Sequence, residues 1–114
     1  MIEITDEMMR QGAANTKQYA ILILKKGPNY AEDVANGRKV IWEHGRRNYA
    51  LRAEGMLSIV CPITDDGEYA GIGVFNLSVE ETIDVMKQDP AVQAGVLAFE
   101  VHPGRSFPGD TLPQ

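Results

Sequence analysis

The chain has 114 residues, 44% hydrophobic and 24% charged, which bounds it to one globular domain with a modest core. Its formal net charge is -5, and its basic residues are scattered rather than clustered, so nucleic acid and anionic membrane surfaces are excluded as main partners. One cysteine, Cys61, excludes an intrachain disulfide, and Cys61 with His44 and His102 forms no recognisable metal-ligand spacing.

In chain order, Thr5 is a reasonable N-cap, and Asp6 and Glu7 suit the first turn of a short helix ending near Ala14. The acidic start lacks a basic region followed by an apolar one, so no signal peptide is expected, and no apolar run approaches bilayer length. The cytoplasm is the default compartment. Residues 1–18 are expected to form an arm outside the core.

The run Tyr19 to Leu24 is continuously apolar and of strand length, which predicts a strand covered on both faces. Gly27-Pro28-Asn29 ends it. A helix is expected from about Ala31 to Glu54, stopped by Gly55. Val34, Ile41, Gly45, Tyr49 and Arg52 fall on one stripe at helical spacing, widened by Trp42 and Ala53. His44 sits at the margin of that stripe, and Glu43, Arg46, Arg47 and Glu54 take the solvated side. Taken alone, this stretch reads as carrying a half-buried histidine satisfied by a neighbour.

Met56 to Ile63 is a second strand, with Pro62 marking an edge or bulge. Asp65-Asp66-Gly67 predicts a hairpin into a third strand, Ala70 to Leu77. Ser78 and Glu81 form a capping box that opens a second helix at Val79, with Val79, Ile83 and Met86 on one side. It ends near Lys87-Gln88, before Asp89-Pro90. Val96 to Val101 is a fourth strand, and residues 104–114 form a breaker-rich tail with little secondary structure, anchored by Phe107 and Leu112. Gly71-Ile72-Gly73 lacks the following helix and basic residue of a phosphate loop. Cys61 reads as buried and inert, and His102 as structural. No feature calls for a flavin, haem, nicotinamide or other cofactor.

The order β-α-β-β-α-β predicts an α+β, ferredoxin-like sandwich: a four-stranded antiparallel sheet with two helices on one face. The other face needs cover, and a second copy of the chain is the simplest one, so a homodimer is expected.

The ordered set His44, Leu51, Gly55, Leu57, Pro62, Asp89-Pro90, Ala94-Gly95, Val101 and Pro103 resembles the YCII-like family of the dimeric α+β barrel superfamily, over residues 19–103. The resemblance implies a dimeric α+β barrel and an active-site role for His44 and Asp89. It also implies kinship with small ring-processing enzymes of aromatic catabolism. The chain departs from the family in its N-terminal arm and in Cys61, where many members carry glycine.

An imidazole exchanges protons near neutral pH, and a carboxylate on its other nitrogen sets the tautomer. The expected site is therefore a His44–Asp89 pair in hydrogen-bond contact at the wall of a cleft. Tyr19, Trp42, Tyr49 and Pro62 are the candidate substrate-binding residues, and Asp89 alone also reads as a simple turn residue. The function these residues point to is proton transfer, as isomerisation or elimination, on a small cyclic or aromatic-derived substrate. The alternatives are a non-catalytic small-molecule-binding module and a structural or accessory homodimer.

Overall fold

The computed structural model describes residues 1–30 and 34–114, with the side chains of 34–36 excepted. Eight elements follow in order: α1 (Asp6–Ala14), β1 (Lys17–Lys26), α2 (Val34–Ala53), β2 (Leu57–Pro62), β3 (Tyr69–Phe75), α3 (Val79–Lys87), α4 (Pro90–Gln93) and β4 (Leu97–Ser106). The expected start of the long helix at Ala31, and the place of Val34 on its stripe, lie outside the described residues.

The four strands form one antiparallel sheet in the order β2-β3-β1-β4, and the fold is ferredoxin-like α+β. Side chains alternate across a strand. Ala20, Leu22 and Leu24 of β1 are therefore buried under the helices, with Phe75 of β3, Leu57 of β2 and Leu97 of β4 beside them. Tyr19, Ile21 and Ile23 point to the helix-free face, in register with Gly104, His102 and Glu100 of β4. Ile72 and Val74 of β3 and Ile59 of β2 join them there, and no other element among the described residues lies over this face.

The tail is shorter than expected, because β4 runs on through Pro103 and Gly104 to Ser106, paired with Ala20 to Lys17. Proline has no N–H to give a ladder, but β4 is an edge strand and tolerates it. Cys61 is exposed, not buried, since it sits on the other edge strand and pairs with Ile72 on the open face. On α3 the capping box forms as expected: Glu81 N–H donates to Ser78 Oγ at 3.1 Å, and Ser78 N–H donates to Glu81 Oε1 at 3.0 Å. The side chain most deeply buried beside Met86 is Thr82 rather than Ile83. Its hydroxyl donates to the Ser78 carbonyl at 2.8 Å, which lets a polar side chain face the sheet.

The orientation of α2 departs furthest from expectation. Its buried row is His44 and Leu51, with Val40 packed against the core. The large apolar stripe faces outward instead: Trp42 is 70% exposed, Tyr49 72% and Ile41 36%. Apolar size suggested the wrong face, because the sheet-facing row of α2 is held by a polar network. Among the described residues, no helix is long and apolar enough to cross a membrane.

Candidate functional site

Two short devices bring His44 to Asp89. His44 lies mid-helix on the buried row of α2, leaning toward the seam with α3 and α4. Asp89 follows α3 directly. It is the N-cap of α4, with extended backbone, and Pro90 occupies the first helical position, where its missing N–H costs nothing. Oδ1 of Asp89 accepts from the N–H of Ala91 at 2.9 Å and of Val92 at 3.3 Å. This capping points the second oxygen, Oδ2, back across the seam.

His44 Nδ1 and Asp89 Oδ2 are 2.7 Å apart. Asp89 is completely buried and His44 is 8% exposed. On the other side of the ring, Nδ2 of Asn48 lies 3.2 Å from Nε2. An amide NH2 only donates, so Nε2 accepts and the ring proton sits on Nδ1, donated to Asp89. In this arrangement Nε2 is turned to Asn48 and Nδ1 to Asp89.

Burial pushes the Asp89 carboxyl up, but the hydrogen bond and charge of His44 and the N–H groups of Ala91 and Val92 outweigh it. They hold the group below the usual carboxylate range. Arg47 adds to this surrounding. Its Nη2 donates to the Val85 carbonyl near the C-terminus of α3 at 2.6 Å, and its Nη1 lies 3.8 Å from Asp89 Oδ2 without a hydrogen-bond partner. Arg47 is therefore turned into the α2–α3 seam, not onto the solvated side where the sequence pattern put it.

The pair stands beside a cleft of about 690 Å3 between α2 and the β2–β3 half of the sheet. His44, Asn48, Tyr49 and Arg52 line it from the helix, and Leu57, Val60 and Pro62 from β2. Gly71 and Gly73 form part of its floor. A Cβ on Gly73 would come within 3.3 Å of Leu57 and 3.4 Å of Leu22, so the absence of a side chain helps to open the space. Arg52 stacks over the Tyr49 ring with its guanidinium carbon 5.6 Å from the centroid. Asp65 and Asp66 from the β2–β3 loop and Leu112 from the tail also reach the lining.

Of the residues expected at the site, His44, Tyr49 and Pro62 line this cleft, and Asp89 stands behind His44, completely buried and outside the lining. Trp42 does not face it; it lines a second hollow, of about 670 Å3, on the outer side of α2 with Tyr30, Ile41 and Tyr49. Tyr19 is a clear correction. It lies on the helix-free face of the sheet, under Lys17, whose Nζ is 5.3 Å from the ring centroid. Strand alternation places it there, because its neighbour Ala20 is buried under the helices. Asn48 and Arg47 join the site unexpectedly, although both stand three to four residues from His44 on the same helical face.

His102 Nε2 lies 2.9 Å from Glu100 Oε2 on the open sheet face, where Glu100 also pairs with Lys25. The hydrogen bonds from His102 and Lys25 hold the Glu100 carboxyl below its usual range. Among the described residues, no group of three His, Cys, Asp or Glu side chains is placed to hold a metal. Comparison with known proteins finds no family model and no curated relative that matches the chain.

Proposed function

We propose that this protein is a small enzyme that moves a proton on a small cyclic or aromatic-derived substrate, with His44 as the base and acid and Asp89 as its positioning partner. The observation that carries this reading is the placement of the His44 ring. It is anchored at Nδ1 by a buried carboxylate, its Nε2 meets the Asn48 amide, and His44 and Asn48 both line the cleft. A carbon acid seated in the cleft gives its proton to Nε2. The resulting imidazolium is stabilised by the Asp89 carboxylate, and the proton is returned at another carbon or a leaving group departs. Asn48 yields its hydrogen bond to Nε2 as the substrate arrives and accepts from the protonated ring through its own carbonyl oxygen.

The YCII-like resemblance belongs to this proposal, as does a cytoplasmic homodimer that covers the open face carrying Ile21, Ile23, Ile59, Ile72 and Val74. No cofactor is required for such a transfer, and the acidic chain favours neither nucleic acid nor membrane.

A second reading has its own support. Both Asp89 oxygens are engaged, one on the α4 cap and one on His44, so the pair also serves as a buttress between α2 and α4 in a binding module without turnover. A thermal-shift screen with small cyclic acids and lactones separates the two, because a ligand of the native state raises the melting temperature by mass action. The enzyme reading expects a hit that wild type converts and His44→Asn binds unchanged. Saturable binding without conversion at any pH favours the module.

A further inference from the structure

The hollow on the outer side of α2 adjoins the His44 cleft but is lined by neither His44 nor Asn48. Its lining is apolar at Trp42, 70% exposed, Tyr49, 72%, and Ile41, 36%, and basic at Arg38 and at Arg46, which also pairs with Glu43 at 3.2 Å. The whole of α2 is basic within an acidic chain: Arg38, Lys39, Arg46, Arg47 and Arg52 stand against Glu43 alone. An occupant complementary to it is apolar and acidic.

The N-terminal arm is such a segment. It exposes Met1 (125%), Ile2 (81%), Ile4 (58%) and Met9 (63%), with Glu3 and Asp6 among them and Glu7 paired with Arg10. Its helix α1 has nine residues and buries none of them. A helix that short is marginal in water without a surface to lie on. Among the described residues the arm meets the end of β4 and the tail, through Thr16 with Arg105 and Gly12 with Phe107. It adds to a molecule 54 Å long but only 30 by 24 Å across. The arm's apolar side chains are left in solvent, and among the described residues nothing covers the hollow they match.

We propose that the Trp42 hollow binds the N-terminal arm of a second copy of this chain. The mode is that of an amphipathic segment laid in a groove, with Ile2 and Ile4 against the aromatic floor and the acidic residues against Arg38 and Arg46. The arm also completes the site. Tyr30, Ile41, Gly45 and Tyr49 line both the hollow and the His44 cleft, so an arm seated along them forms an outer wall for the cleft. The docking stands whether or not the cleft performs catalysis.

The chain's single tryptophan is Trp42, which makes the test direct. Tryptophan emission and acrylamide quenching are measured over a dilution series for wild type, for Ile4→Glu and for a chain lacking residues 1–14, with circular dichroism confirming the fold. The expected result is blue-shifted, poorly quenched emission of wild type at high concentration, moving to that of an exposed indole on dilution. Both variants are expected to show exposed-indole emission at every concentration, quenched severalfold more efficiently. Arg38→Glu with Arg46→Glu should expose Trp42 as well, and mixing that protein with Glu3→Lys plus Asp6→Lys chains should shield it again. Wild-type emission that is exposed throughout, or independent of concentration, overturns the proposal. So does emission unchanged by loss of the arm.

Discussion

Replacing Asp89 with asparagine removes one charge and adds one donor at a completely buried position, and its consequences can be followed atom by atom. The carbonyl oxygen of the introduced amide keeps the cap on Ala91 and Val92, where Asp89 Oδ1 now accepts at 2.9 and 3.3 Å. The new NH2 then faces His44 Nδ1, where a carboxylate oxygen stood at 2.7 Å. Two donors cannot face each other, so the ring proton moves to Nε2, with the Asn48 amide turned to accept from it, and Nε2 loses its basic lone pair. Exchanging a charge-assisted hydrogen bond for a neutral one costs about 1–2 kcal/mol. For a domain of this size that lowers the melting temperature by about 4–8 °C. A wrong tautomer in a comparable dyad lowers turnover by roughly ten-thousandfold. Asp89→Ala also loses the cap and leaves the ring unpaired, so it should cost about 3–5 kcal/mol. Nitrogen NMR of the imidazole, which reports which nitrogen carries the proton, and thermal unfolding of the variants check the chain of steps. An Asp89→Asn variant with the proton still on Nδ1 and an unchanged melting temperature would refute it.

Other consequences are open to similar tests. The Asp89 carboxyl is held below its unfolded value of 3.8, so its contribution to stability is complete above that pH and lost as pH falls from there through the lower folded value. The stability gap between wild type and Asp89→Asn, measured by denaturant unfolding, should therefore be flat near neutrality and close in that acid window. Arg47→Glu sets a second carboxylate beside Asp89, where the guanidinium now lies 3.8 Å away, and should destabilise by about 3 kcal/mol or more, with partial recovery in acid as one group protonates. Gly27→Ala should cost more than about 2 kcal/mol in chemical denaturation, because its Cβ would overlap the Gly95 carbonyl. Gly45→Ala should instead stabilise by about 0.5–1 kcal/mol, since mid-helix and with nothing within 4 Å the new methyl meets no neighbour. Ile72→Lys on the open sheet face, in a chain lacking residues 1–14, should convert the proposed dimer to monomer in equilibrium sedimentation, whereas a wild type already monomeric at micromolar concentration rules the dimer out.

Much of this architecture was legible because local signals agreed with the global pattern. The capping box at Ser78 and Glu81 opened α3 as expected, and the turn at Asp65-Asp66-Gly67 joined β2 to β3. The His44–Asp89 pairing was expected from the resemblance rather than from either residue alone, and the two meet because both helices share one face of the sheet. What could not be read was which face of α2 met that sheet. Trp42, Ile41 and Tyr49 make the larger apolar stripe, yet His44, Asn48 and Arg47 turn inward because each finds a polar partner across the seam or along it. Periodicity weighs side-chain size and cannot see such partners. The tail misled for a related reason: Pro103 and Gly104 look like breakers, and only their place on an edge strand makes them compatible with β4. The four-residue helix α4 is too short for a periodic signal, although Asp89 and Pro90 are its cap and first residue.

Central to the proposed chemistry is Nε2 of His44 acting as a proton acceptor toward a molecule in the cleft. Deuterium wash-in measures this most directly. Each small cyclic carbon acid that raises the melting temperature is incubated with the protein in D2O, and its C–H signals are followed by NMR. Exchange of one specific C–H by wild type is predicted, lost in His44→Asn and strongly slowed in Asp89→Asn. Ligands that bind beside His44 yet exchange no faster with wild type than with His44→Asn would contradict it.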